Sequence, residues 1–360
     1  MDKIIYLGTF LIATANYIVN ISLPIYLSEW LGADPLRIGI AGFAGSFSYT
    51  LTTLSFSRLK RFQKFPWFIY SSFGIGMVYL LLPFFNYEVI FLLLLCIGFF
   101  YARFWPSIQN YFRKDEKKEF SVSMYNLAWS GGVIIGPLLS GRIYSFNSIL
   151  PFITSGILGI SIFFPFFFTR KGIISTFNSD FSVERGKKTF PLSFVKRVRF
   201  LNYFNFFTMG AVIFLFPKFL LTLKVSPSLI GTLISILFIS RFISFYILRK
   251  KKIFTSKVFF SLSYFLLFFS LLLIGVGKNP LNFVFSMVVL GILNALSYHN
   301  GLLVHLEGGY PTEINEGIIG AGLFSGPLIV GILGNLFNLR VAFILVGLGI
   351  LTVGLWNEKR

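Results

Sequence analysis

The feature that most constrains this chain is a succession of twelve long apolar runs, at residues 4–27, 37–57, 66–86, 89–111, 120–141, 148–169, 200–221, 228–248, 258–277, 281–304, 317–337 and 340–356. Nearly every run exceeds the ~18 residues that separate a membrane-spanning helix from a buried one. In hydrocarbon no water is present to satisfy backbone N–H and C=O groups, so runs of this length cross a bilayer as α-helices. The residue inventory agrees: only 12% of the chain is charged and mean hydropathy is +0.78, against about 25% charged in an ordinary soluble domain. The first run is too long for a signal-peptide core and is expected to stay as the first helix.

Lysine and arginine set the orientation, because basic loops resist translocation. With a cytoplasmic amino terminus, alternate connections and the two ends collect 24 of the 32 basic residues, and the other connections collect 6. The remaining two, Arg103 and Arg241, lie within runs. An even number of spans with both termini inside follows. The net charge of +19 is then the signature of inside loops, and nucleic-acid binding, the usual reading of a basic chain, is not expected.

Two further classes are disfavoured. A single cysteine, Cys96, offers no disulfide and no metal cluster. An enzyme would need a deep carboxylate pair, a Ser/His/Asp set, a metal cluster or a phosphate loop, and none is apparent; no cofactor and no metal are implied.

The chain repeats itself. LGADPLRIG at 31–39 is matched by LKVSPSLIG at 223–231, aligning Pro35 with Pro227 and Gly39 with Gly231. GPLLSG at 136–141 is matched by GPLIVG at 326–331. Both offsets are near 190 residues, so the chain is read as two parallel bundles of six helices, 1–169 and 200–360. A basic cytoplasmic linker, 170–199, joins them. Six is even, so both bundles enter the membrane from the same side, as parallel repeats require.

With this layout, the ADPLRIG loop, the FWPSIQNYF end of the fourth run and YNLAWSGGVIIGPLLSG in the fifth, the whole chain resembles a major facilitator superfamily transporter. The resemblance implies an all-α membrane fold of two parallel six-helix bundles related by pseudo-two-fold symmetry. Gly132, Gly136, Pro137 and Gly141 match the family pattern G-x-x-x-G-P-x-x-G-G, with Ser140 where a glycine is usual; carriers of this pattern are often exporters or antiporters. Physics gives the stretch a packing role as well. Helices in lipid approach closely through small residues, and a proline removes one helical hydrogen bond and kinks the helix. The stretch, and Gly326, Pro327 and Gly331 in the second copy, is expected either to hinge or seal the two halves or to pack them statically.

The family's inside loop G-x-x-x-D-R-x-G-R-R is reduced here to TLSFSRLKR, which keeps Arg58 and Arg61 but has neither the acidic residue nor the glycines. Its second copy keeps Arg249. Cytoplasmic anchoring is the expected role of these remnants.

All 13 acidic residues lie in loops or near helix ends, which disfavours proton coupling through a carboxylate deep in the membrane. The deep charges are positive. Arg103, expected at the depth of Asn126 on the next span, serves either as a contact for an anion or polar group in a central cavity or as a structural arginine. Arg241 is read as structural, within snorkelling reach of the inside face. His299 is a candidate protonatable cavity residue, while His305 is placed near Glu307; their spacing of six residues does not suit a metal pair. Asn16 and Asn20 share a face of the first helix, as do Asn294 and Tyr298 in the tenth. Asn202 and Asn205 lie three apart in the seventh, and Trp129 is placed to stack on a ligand. Each of these polar residues serves either a cavity lining or an interhelical hydrogen bond.

The expected function is secondary active transport of a small solute across the plasma membrane by alternating access, with a polar or anionic substrate favoured. One alternative is export or antiport of amphipathic, drug-like compounds, for which the 48 phenylalanines supply apolar surface. Another, of a different class, is a non-transporting sensor on a transporter scaffold. The expected partners are the lipid bilayer and a small-molecule substrate, with the protein acting as a monomer.

Overall fold

The computed structural model describes residues 2–57, 65–113, 118–177, 190–248, 254–307, 310 and 312–359. Its helices are α1 (Asp2–Glu29), α2 (Pro35–Ser57), α3 (Phe68–Leu81, followed by a 3-10 turn, Leu82–Phe84), α4 (Tyr87–Arg113), α5 (Lys118–Phe146), α6 (Leu150–Phe168), α7 (Arg170–Phe177), α8 (Leu192–Thr222), α9 (Pro227–Leu248), α10 (Lys257–Val276), α11 (Pro280–Glu307), α12 (Thr312–Leu336) and α13 (Leu339–Lys359). Among the described residues there is no strand.

Each of the twelve apolar runs coincides with one of these helices, and the short α7 is an addition within the basic segment. Nine helices among the described residues are long and apolar enough to cross a membrane. Two others, α2 and α5, have the length, at 23 and 29 residues. They are diluted by glycine, serine and threonine, the residues that let helices in lipid approach one another.

The described chain divides into two compact units. The first comprises Met1–Tyr26, Ala44–Val183 and Ser226–Gly231; the second comprises Leu27–Phe43, Glu184–Val225 and Thr232–Arg360. Each unit therefore takes in a short stretch from the opposite half of the sequence.

Small residues dictate the packing inside each unit. In the first, α3 lies on α6 with Gly76 and Gly159 backbone to backbone. Gly98 of α4 sits against Gly45 and Tyr49 of α2. In the second, Gly291 of α11 sits in the same way against Leu237 and Arg241 of α9, an internal repeat at the offset seen in the sequence. In the second unit α8 also packs closely along α12.

Candidate functional site

The glycine and proline motifs come together in two equivalent seams. On α5, Gly132 faces Phe10, Ala13 and Thr14 of α1, and Gly136 faces Thr14, Tyr17 and Ile18. On α12, Gly322 faces Tyr203 and Phe207 of α8, and Gly326 faces Phe207 and Ala211. A side chain at any of these positions would meet a neighbouring backbone. The second contact of each seam is supplied by the stretch from the opposite half of the chain. In the first unit Gly141 abuts Pro227, and Gly231 abuts the carbonyl of Pro137. In the second unit Gly331 lies on Pro35 and Gly39, and Gly39 lies on the carbonyl of Pro327. The two repeats read in the sequence are thus each other's packing partners, crossed between copies.

Ser140, the departure from the family pattern, is fully buried. Its Oγ donates to the Ile18 carbonyl (2.9 Å) and lies 2.6 Å from Ser22 Oγ. Since its one proton is committed, Ser22 is the donor between the hydroxyls. Val330 holds the corresponding place in the second copy and is also fully buried.

A polar cluster occupies the middle of α1, α3 and α4. Asn20 Nδ2 donates to Asn16 Oδ1 (3.1 Å), and the Tyr79 hydroxyl donates to the same oxygen (3.3 Å). Tyr79 and Tyr101 hydroxyls are 2.7 Å apart, and because the Tyr79 proton points to Asn16, Tyr101 is the donor. Both tyrosines are buried, whereas Asn16 and Asn20 are half-buried. The Tyr101 ring stacks parallel to Trp105, centroids 6.0 Å apart. The sequence reading did not single out Tyr79, Tyr101 or Trp105. The available signal was a tyrosine midway along an apolar helix, whose O–H needs a partner when buried.

In the second unit the asparagines bond to one another across helices. Asn294 Nδ2 donates to Asn205 Oδ1 (2.5 Å), joining α11 to α8. Asn202 Nδ2 donates to Asn315 Oδ1 (3.0 Å), joining α8 to α12. All four are at most 2% exposed. Asn202 Oδ1, Asn294 Oδ1 and the nearby Ser297 Oγ have no hydrogen-bond partner among the described residues. Tyr298, one turn beyond Asn294, packs its ring edge to face against Phe206 and Phe245, centroids 6.0 Å from each.

The two deep arginines rest on aromatic faces. Arg103, 8% exposed, holds its guanidinium 4.5 Å from the Trp67 ring centre and 4.9 Å from that of Phe99. Such contacts contribute up to ~2 kcal/mol when desolvated. Asn126, expected at the same depth, is exposed, and among the described residues no hydrogen bond joins the two. Arg241 lies over Phe245 and Tyr298, at 5.2 and 5.7 Å.

Trp129 and His299 are half-buried. His305 is buried; it accepts a hydrogen bond from Arg199 Nε at Nε2 (3.1 Å) and has Nδ1 2.7 Å from the Gly301 carbonyl. The Glu307 side chain, like Arg58, Arg61 and Arg249, lies outside the described residues. Among the described residues the acidic ones keep to helix ends: Glu316 is in the second turn of α12, and Glu358, near the end of α13, is 3.7 Å from Arg197 Nε.

A family model described as Major Facilitator Superfamily matches residues 5–308. No curated protein matches. The solved structures similar to this one include that of a nucleoside transporter, NupG, at 14% identity and TM-score 0.77, covering 99% of this chain and 98% of that one. A peptide transporter, POT, in complex with alafosfalin is similar at 14% identity and TM-score 0.77, covering 99% and 93%. A bacterial homologue of the human lysosomal transporter Spinster, in an inward-facing and occupied conformation, is similar at 10% identity and TM-score 0.69, covering 99% and 95%.

Proposed function

The chain belongs to the Major Facilitator Superfamily and is a transporter rather than an enzyme; from that premise we propose that it moves a small, polar, uncharged solute by secondary active transport. The observation that carries the substrate reading is a contrast in the deep polar groups. Asn16, Tyr101, Asn205 and Asn294 all stand midway along their helices, at the depth where secondary transporters hold their substrates, and all are neutral. The deep cations Arg103 and Arg241 are instead engaged by Trp67, Phe99, Phe245 and Tyr298, which favours a neutral solute over the anionic one.

In this reading the bundles 1–169 and 200–360, joined by the basic linker 170–199, rock about a central site in the plasma membrane. Both termini are cytoplasmic and a monomer suffices. The seams at Gly141/Pro227 and Gly331/Pro35 are then the contacts that part when one face opens. Export of amphipathic compounds is the rival reading, supported by the G-x-x-x-G-P pattern. Against it, many phenylalanines are already consumed in ring-to-ring packing, as in Phe216, Phe219, Phe283 and Phe343. The sensor reading has no observation behind it.

The deciding experiment is counterflow in proteoliposomes with radiolabelled neutral, anionic and lipophilic cationic solutes. Neutral solutes exchanging, with Arg103→Gln lowering thermal stability but leaving the preference for neutral over anionic solutes unchanged, is the expected result. Exchange confined to anions and abolished in Arg103→Gln would return Arg103 to the substrate, and exchange confined to lipophilic cations would make the exporter reading primary.

A further inference from the structure

The hydrogen-bond chain in the first unit fixes which polar atoms remain to meet a solute. Tyr101 donates to Tyr79, Tyr79 donates to Asn16 Oδ1, and Asn20 Nδ2 donates to that same oxygen. An amide oxygen has two lone pairs, so Asn16 Oδ1 is saturated and its amide cannot turn over without breaking both bonds. That leaves Asn16 Nδ2 as a donor. Asn20 has spent one N–H, and keeps Oδ1 as an acceptor and its second N–H as a donor. These atoms have no partner among the described residues, and the two amides are the half-buried members of a cluster whose tyrosines are closed in. Asn16 and Asn20 are four residues apart on one face, so a donor and an acceptor stand side by side. The flat, half-buried ring of Trp105 lies parallel to that of Tyr101, whose hydroxyl begins the hydrogen-bond chain to Asn16. The guanidinium of Arg103, the deep cation on α4, is turned to Trp67 and Phe99.

We propose that Asn16 and Asn20, oriented by Tyr79 and Tyr101, are the recognition edge of the transport site, and that its substrate is an uncharged planar compound with a carbonyl and an N–H on one edge. The carbonyl accepts from Asn16 Nδ2, the N–H donates to Asn20 Oδ1, and the ring lies on Trp105. Pyrimidine nucleosides and aromatic carboxamides have this chemistry; sugars lack the flat face, and carboxylates and phosphates lack the donor and carry charge. A site built to hydrogen-bond a substrate rejects the analogue lacking that group, because its own buried polar atoms are then left unpaired. The inference deepens the transport reading and rests on it for its biological sense, although binding at the edge can be measured without transport.

The test uses the full chain in nanodiscs, with uridine and nicotinamide as probes beside 3-methyluridine and N,N-dimethylnicotinamide, in which the N–H is replaced. Binding is read by tryptophan fluorescence and counterflow is measured in parallel. We expect the parent compounds to bind about tenfold or more tightly than their methylated partners, equivalent to ~1.4 kcal/mol. In Asn20→Leu the ratio falls to about 1, since both ligands then meet an apolar surface. Tyr79→Phe, which keeps the ring and removes only the hydroxyl, weakens the parent compounds about threefold by releasing the Asn16 amide. A purely structural role for Asn20 would lower stability and leave the ratio intact, and that result overturns the proposal. Binding of neither uridine nor nicotinamide by the folded protein also overturns it, and if anions are then exchanged, transport stands while its uncharged-solute reading falls too. Binding with the expected ratio but no counterflow leaves the recognition edge standing and removes the transport reading.

Discussion

Asn16 and Asn20 on α1 and Asn202 and Asn205 on α8 sit in the first helix of each repeat, and the structure uses them differently. The α1 pair is half-buried and oriented by two buried tyrosines, with amide atoms to spare on one side. The α8 pair is closed in, each amide bonded to an asparagine of another helix, Asn315 or Asn294. The glycine seams show no such divergence: Gly132, Gly136 and Gly141 make the contacts that Gly322, Gly326 and Gly331 make one repeat later. Duplicated backbone geometry constrains where helices must touch, and so preserves glycines in pairs. A hydrogen-bonding side chain faces only its own surroundings and can be turned in one copy to packing and in the other to recognition.

The largest expected effect tests the symmetric part of this comparison. Gly141→Val would drive a side chain into the Pro227 carbonyl, and Gly331→Val would drive one into the Pro35 carbonyl, which already lies 2.7 Å from the position a Cβ would take. Overpacking of this kind costs about 3 kcal/mol. Both variants are expected to lose thermal stability by similar amounts and to lose transport. If one were tolerated and the other not, measured as melting temperature in nanodiscs and counterflow rate, the two seams would not be equivalent.

The next effect tests the asymmetric part. Asn205→Leu strips Asn294 Nδ2 of its acceptor while Asn294 stays buried, and an unsatisfied buried polar group costs about 2 kcal/mol. Replacing both, Asn205→Leu with Asn294→Leu, removes the orphan as well as the bond and is expected to recover most of the loss. The comparison in stability is Asn20→Leu, for which less than about 1 kcal/mol is expected because its amide is half-exposed and bonded only to a neighbour on its own helix. A large loss from Asn20→Leu, or none from Asn205→Leu, would erase the distinction between the two units.

How far the sequence carries this picture follows from which forces act locally. Helix positions were legible because lipid demands a long apolar run of every span, and all twelve runs are helical. The repeats were legible as glycine and proline at fixed offsets. Their crossing was not, since nothing within GPLLSG says that Pro227 and Gly231 will be its neighbours. Asn16, Asn20, Asn205 and Asn294 stood out as polar groups in apolar runs. Tyr79 and Tyr101, which give the first pair its orientation, were hidden in a chain with 16 tyrosines and 48 phenylalanines. The partners of Arg103 were hidden for another reason: Trp67 immediately precedes α3, and only the tertiary fold brings its ring to the guanidinium.

The smallest expected effect concerns one place where the seams themselves differ. Ser140 ties α5 to α1 through Ile18 and Ser22, whereas its counterpart Val330 does the same job with shape alone. Interhelical hydrogen bonds in membranes average ~0.6 kcal/mol, so Ser140→Val, losing two, should cost about 1 kcal/mol. Ser22 then loses its acceptor, but its hydroxyl can turn to a carbonyl one turn back on α1, as serines in helices commonly do. The measurement is a double-mutant cycle, with Ser22→Ala, Ser140→Val and the pair followed by thermal unfolding. Coupling of a few tenths of a kcal/mol or more is expected if the two hydroxyls support one another. Strict additivity would mean that Ser140 holds α5 to α1 through the Ile18 carbonyl alone, with Ser22 adding nothing to the contact.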